Sequence, residues 1–176
     1  EREYLETSLL LVQLKESKSA DRVINLIHRA IPYPLLIICH YQDSVMFSIA
    51  PKRFNLAEKG AIVAEEVISS GWINLSAISP NEMTFLKSLA IDSRRYLDFL
   101  ELYQAWEASL LAQACSKHTG QLTIKYNSIE ERKELLDRCL SLQTEIISLR
   151  SSIKKETQMN KKVELNTRIS ELKKQY

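Results

Sequence analysis

Ser128-Ile-Glu-Glu-Arg-Lys-Glu-Leu-Leu-Asp-Arg-Cys-Leu-Ser-Leu-Gln-Thr-Glu-Ile-Ile-Ser-Leu-Arg-Ser-Ser-Ile153 contains neither Gly nor Pro, and its apolar residues recur at helical spacing. Ser128 is a good N-cap, with Glu131 at the matching position of a capping box. Leu135, Leu142 and Leu149 repeat at seven, and Cys139, Ile146 and Ile153 form a second seven-residue series offset by four. The two series make one coiled-coil seam of about three heptads. The next positions would be Glu156 and Asn160, so the seam stops there, and apolar spacing resumes in another register at Leu165, Ile169, Leu172 and Tyr176. Either one helix changes face across Lys154 to Lys162, or that segment is a turn and two arms fold back on each other. Strong helix formers without Gly or Pro favour continuity. A continuous helix would reach roughly 70 Å at 1.5 Å per residue.

The rest of the 176 residues reads as a small globular body. With 45% hydrophobic and 26% charged residues, the chain resembles neither a disordered nor a collagen-like polymer. Only 3 Gly and 4 Pro favour helix over a turn-rich all-β fold. Leu9 to Val12 and Leu35 to Cys39 are the longest apolar runs, too short to cross a bilayer, and no signal peptide is visible. A cytoplasmic location without membrane association is the expectation. The first residue is Glu1, which leaves room for a segment upstream. Cys39, Cys115 and Cys139 are scattered and odd in number, as reduced thiols in an intracellular protein would be.

Leu9-Leu-Leu-Val-Gln-Leu14 reads as a strand buried on both faces, followed by a turn. Ser19 is placed to cap a helix from Ala20 to Ala30, which Pro32 and Pro34 stop. Leu35 to Tyr41 and Val45 to Ile49 form a hairpin across Gln42-Asp-Ser44. Lys52-Arg53 begins a polar loop closing at Gly60, and Ala61 to Ile68 is expected as a third consecutive antiparallel strand that Gly71 ends. Ser79, Pro80 and Glu82 open a further helix with a capping box. A longer helix from about Ser93 to Ser116 carries Tyr96, Leu97, Leu100, Tyr103, Trp106, Leu110, Leu111 and Ala114 as a wide apolar stripe, and Gly120 terminates it. Leu122 to Tyr126 is a short extended connector. The fold class is therefore α+β: a small, mostly antiparallel sheet of about four strands with one crossover helix, then an all-helical part ending in a long coiled-coil-like helix or helical hairpin. The expected divisions are residues 1–78 as the α+β body, 79–126 as helices packed on it, and 127–176 as the coiled-coil-like arm.

Candidate chemistry is sparse. Gln13 and Lys15, two apart at a strand end, have the spacing at which metal-dependent nucleases of the PD-(D/E)XK type hold Mg²⁺ and polarise water. A second acidic ligand is missing unless Glu3 or Glu6 supplies it, and a strand end dipping into solvent explains the pair more simply. Cys39-His40 and Cys115 with His118 lack zinc-site spacing, so a buried thiol and helix-end histidines are the plainer reading. His28 sits among apolar helix residues as a packed or capping side chain. Lys52, Arg53 and Phe54 could hold a phosphate and stack on a base, although two cations after a strand are usually a loop. Trp72, Tyr96, Tyr103 and Trp106 are spaced like core residues. No phosphate-cradling glycine loop and no Ser-His-Asp set exists, so enzymatic activity has little support and neither cofactor nor metal is expected.

Net charge is +2, but from Ser151 onward seven basic residues face three Glu, giving a +4 tail and a −2 remainder. Lys154, Lys155, Lys161 and Lys162 are the candidates for contact with nucleic acid. A solvated helix face with interleaved Glu is the blander reading.

Three segments carry a resemblance: Arg29-Ala-Ile-Pro-Tyr-Pro-Leu-Leu36; Leu102-Tyr-Gln-Ala-Trp-Glu107 with Thr119-Gly120; and Lys155-Glu-Thr-Gln-Met-Asn-Lys-Lys-Val-Glu-Leu-Asn166. Together the chain resembles the prokaryotic family called domain of unknown function 4391, over nearly its whole length. The resemblance implies genes often placed beside helicases and DNA methyltransferases of restriction or phage-defence type, and transfers no catalytic residue. The expectation is a non-enzymatic accessory module whose seam, Leu135, Cys139, Leu142, Ile146, Leu149 and Ile153, binds a protein partner or a second copy. The alternative is a nucleic-acid-binding protein using the basic tail, and more remotely a metal-dependent nuclease.

Overall fold

The computed structural model describes residues 4–54, 62–93, 95–125 and 128–175. It is a mixed α/β protein with a C-terminal helical part, and it divides into two compact units, Glu1–Ile129 and Glu130–Tyr176.

In the first unit, β1 (Ser8–Gln13) lies parallel to β2 (Leu35–Tyr41), with α1 (Ala20–Ala30) between them in sequence. β3 (Ser44–Ile49) returns antiparallel to β2 across a two-residue turn in which Gln42 takes φ +50. Alternation then sorts the side chains. Leu35, Ile37, Cys39 and Met46 face α1 and form one core with Ala20, Ile24 and Leu14. On the opposite face Phe47 meets Phe85 edge-on at 5.7 Å, and the Tyr103 hydroxyl donates to Leu35 O and accepts from Ala50 N. These two aromatic residues belong to α2 (Pro80–Ser88) and α3 (Phe99–Thr119).

β1 departs from its expected double burial. It is an edge strand, and on one face Leu9 and Leu11 stand exposed, Leu11 by 72%. The expected third strand is antiparallel but interrupted. β4 (Lys52–Phe54) pairs with β5 (Ile62–Ala64), Glu65 N donates to Pro51 O at 2.8 Å, and after a break at residues 65–67 β6 (Ile68–Ser69) pairs with β3. Pro51 has no N–H to give to the ladder, but its carbonyl still accepts. β7 (Ile73–Asn74) pairs with the other end of β3. The loop expected to close at Gly60 lies outside the described residues.

Helix ends follow local chemistry. Ser79 accepts from Glu82 N while the Glu82 carboxylate accepts from Ser79 N, as the capping box requires. The Ser79 hydroxyl also donates to that carboxylate, and this bond first and the Ser79 N bond second hold the Glu82 pKa below the usual carboxylate value. Gly120 closes α3 in the left-handed conformation at φ +73, as expected. The start of α3 is later than its apolar spacing suggests. Asp98 accepts from Glu101 N and Glu101 accepts from Leu97 N, so Tyr96 and Leu97 precede the helix. Ser19 supplies no cap to α1; its hydroxyl donates to Glu16 O. Residues 105–113 of α3 are buried without a break, so polar Glu107, Ser109 and Gln113 lie inside, where a stripe was expected.

The second unit is α4 (Ile129–Lys155) followed by α5 (Met159–Gln175). Continuity across 154–162, favoured by helix propensity, is overturned: residues 156–158 are not helical. Leu142, Ile146, Ile169 and Leu172 form one buried cluster with Leu149 and Ile153 packed on it, so the two helices are a hairpin. An Arg168–Glu145 ion pair at 3.4 Å joins them at the surface. Among the described residues no helix is long and apolar enough to cross a membrane.

Candidate interaction site on the helical hairpin

The hairpin turn is built from residues that ordinarily continue a helix. Glu156 N still donates to Ser152 O as α4 ends, and Lys162 N donates to Gln158 O as α5 begins. Between them the Glu156 carboxylate accepts from Thr157 N at 2.7 Å and Gln158 N at 2.9 Å. It thereby satisfies two N–H groups of the turn itself, just before α5. Those bonds, with smaller help from Lys161 and Lys162, hold its pKa below the usual carboxylate value.

Closure of this turn has an electrostatic result. Lys154 and Lys155 end α4, and Lys161 and Lys162 lie in the first turns of α5, so the four ammonium groups gather at one end of the hairpin. Lys154, Lys155 and Lys161 are exposed and Lys162 is half-buried. Residues 154–162 hold these four cations against the single Glu156, a local charge of +3. The first turn of α5 carries no acid, so its positive helix end adds to the same field.

The seam is divided by the fold. Leu142 and Ile146 are buried inside the hairpin and Leu149 and Ile153 pack against them, leaving these four with partners in their own chain. Leu135 is exposed and Cys139 half-buried, and neither belongs to that cluster. A second stripe was not singled out in the sequence. Leu140 and Ile147 are seven residues apart and exposed, Ile147 by 60%, with half-buried Leu136 four residues before Leu140. The spacing was legible; what hid it was the stronger Leu and Ile series beside it.

The other candidates fall in the first unit. Gln13 ends β1 and its Oε1 lies 2.8 Å from His40 Nδ1 on β2, both at the carboxyl ends of the parallel pair, while Lys15 is exposed beyond the strand. Among the described residues no group of three or more His, Cys, Asp or Glu is arranged to hold a metal ion, so Cys39-His40 and Cys115 with His118 are not brought together as ligands. Cys39 is buried against α1, which raises its pKa, mainly by desolvation. His28 is buried against the sheet, its Nε2 3.2 Å from Ser48 Oγ. Burial first, and the Lys52 charge second, lower its pKa to about 4, so it is a neutral packed histidine near pH 7. Lys52 is not a loop cation. It is 3% exposed and its ammonium donates to His28 O and Ile31 O at the end of α1. Trp106 and Tyr103 are core residues, Trp72 is half-buried against Tyr41, and Tyr96 is half-buried before α3.

The chain belongs to the family described as a domain of unknown function, DUF4391, whose model matches residues 1–175. No curated protein and no solved structure matches it.

Proposed function

We propose that this member of the DUF4391 family is a non-enzymatic accessory module of a prokaryotic DNA-processing or phage-defence system of restriction type, acting through its helical hairpin. The observation that carries this reading is the stripe of Leu136, Leu140 and Ile147, which stays at the surface after the hairpin has closed on its own seam. Apolar residues at that spacing suit a third helix, supplied by a partner protein or a second copy, in coiled-coil-type packing. Copurification from the native host with identification of the retained protein, and light scattering of the purified chain, test it. Leu140→Glu with Ile147→Glu should release the retained partner or split the dimer while leaving the circular dichroism unchanged. A monomer that retains no protein sensitive to that double substitution sinks the proposal.

The lysine cluster supports a second reading, nucleic-acid binding at the hairpin tip. Four cations that are separated in sequence and gathered in space suit a phosphate backbone. Changing Lys154, Lys155, Lys161 and Lys162 to Gln should flatten the dependence of log K on log salt by up to about 3.6 for a duplex, if each touches one phosphate. Absence of any gel shift with DNA or RNA at low salt would end this reading.

A further inference from the structure

β1 ends the main sheet on one side, and among the described residues no strand pairs with its outer edge. Its ladder fixes where its backbone groups point. Ser8 N donates to Pro34 O and Leu14 N donates to His40 O, so Ser8, Leu10, Val12 and Leu14 turn their N–H and C=O groups toward β2. Leu9, Leu11 and Gln13 turn theirs outward, because the direction alternates along a strand. Sheet edges are commonly blunted by a charge, a Pro or a bulge. Ser8-Leu-Leu-Leu-Val-Gln13 has no charge and no Pro, and its register with β2 runs unbroken.

Apolar surface flanks this edge on both faces of the sheet. Leu9 and Leu11 are exposed on the face away from α1, and on the α1 face Leu10 and Val12 are only half-buried. The helix above them continues the surface. His28, on one flank of α1, reaches Ser48 on β3, so the opposite flank is the one toward β1. Helical geometry places Val23, Leu26 and Ile27 on that flank. Val23 and Ile27 are half-buried in the core that Leu10 and Val12 share, and Leu26 is exposed. An aliphatic strip therefore borders an open row of hydrogen-bonding groups, which marks an interaction edge.

We infer that β1 pairs antiparallel with β1 of a second copy, about a dyad perpendicular to the sheet at Leu10, so that one sheet runs through both copies. Leu9 then lies opposite Leu11 of the second copy. The backbone groups of both residues point outward, so each such pair exchanges both of its N–H···O bonds. A dyad in this direction keeps like faces together. The exposed leucines of the two copies meet on one face, and the apolar flanks of the two α1 helices turn toward each other on the other face. Charge agrees with this register: Glu6 and Lys15 are exposed before and after β1, and each Glu6 comes diagonally beside Lys15 of the second copy. Sliding the strands by two residues one way opposes Glu6 to Glu16, and the other way opposes Glu6 to Val12, out of reach of Lys15. The edge is thus complementary to itself in a single register. It is separate in sequence from the hairpin and stands or falls independently of the surface proposed there.

The test uses the full chain carrying Leu140→Glu and Ile147→Glu, which silence the hairpin stripe. Light scattering should still show a dimer. Leu11→Pro removes an outward N–H and leaves the ladder to β2 whole, while Leu11→Lys sets a charge on the exposed edge and keeps the test decisive where the Pro variant fails to fold. Each should halve the scattering mass without changing the circular dichroism. Register is read with cysteines, in the same chain with Cys115→Ser and Cys139→Ser. Leu10→Cys, which meets itself at the dyad in a closely spaced non-hydrogen-bonded pair, should give a disulfide-linked dimer on mild oxidation, whereas Ser8→Cys, opposite Val12, should not. A monomer at every concentration up to millimolar, a dimer indifferent to both changes at Leu11, or linkage through Ser8→Cys in preference to Leu10→Cys would overturn the inference. So would a monomer that retains a foreign protein sensitive to Leu11→Pro, which assigns the edge to a strand of that partner.

Discussion

The two units of this protein are built by different means. The first buries large side chains such as Trp106, Tyr103, Phe85 and Ile37 almost completely, and gives several of its buried polar groups partners across long stretches of chain. The second rests on a narrow seam, Leu142, Ile146, Ile169 and Leu172, with much of the rest of its surface charged or polar. Burial scales with the number of layers an element packs between, and a two-helix hairpin has only one interface. Stability is therefore concentrated in the first unit, whereas the second devotes more of its sequence to surface chemistry. Both tryptophans, Trp72 and Trp106, lie in the first unit, so indole fluorescence reports that unit while helical circular dichroism also reports the hairpin.

That division can be broken most forcefully at Trp106, whose indole N–H donates to Leu89 O at 3.0 Å. Trp106→Ala should cost about 3–5 kcal/mol and lower the denaturant midpoint seen by the remaining Trp72 fluorescence. Acid should act next. Burial lowers the His28 pKa to about 4 in the folded chain, against the ordinary 6.5, so protonation favours the unfolded chain. Stability falls as pH drops from about 6.5 to 4, by up to about 3 kcal/mol, and levels off below that as far as this group is concerned. His28→Gln should flatten that part of the pH profile of the melting temperature, whatever it does to the baseline. Ile146→Ala should remove about 2 kcal/mol from the hairpin, near the low end for a buried aliphatic because it packs in a single helix–helix interface. Helical signal should then be lost at lower denaturant than indole fluorescence, and a single coincident transition would show the two units to be energetically one. Arg168→Ala breaks the exposed pair with Glu145 and should change stability by at most about 0.5 kcal/mol.

Much of the local structure was legible because local chemistry writes it. The Ser79–Glu82 capping box, the left-handed Gly120 and the Leu35–Ile49 hairpin depend on neighbours within a few residues. What the sequence hid is non-local. Nothing near Lys52 announces that its ammonium will reach carbonyls 21 and 24 residues away, so it resembled a loop cation. Nothing in Leu9-Leu-Leu reveals an edge strand with an uncovered face, because that depends on how far α2 and α3 extend over the sheet. The hairpin, one of the two alternatives the sequence offers, was outweighed by helix propensity for another reason: the Glu156 carboxylate accepts from Thr157 N and Gln158 N within the turn, which closes without a Gly or Pro to mark the break. The late start of α3 did carry a signal, Asp98 followed by Glu101 at capping spacing, outweighed by the apolar run before it. Of the candidate site, the four lysines were legible as residues, but their gathering at one end waited on the turn.

The concealment of Lys52 has a practical side. Acylating reagents attack the free amine, and Lys52, 3% exposed with its ammonium bonded to two carbonyls, should react far more slowly than the lysines at residues 154, 155 and 161. Amine footprinting of the native chain thus carries an internal blank. Modification of Lys52 would report that β4 had come away from α1, while changes at the tip could be read against it.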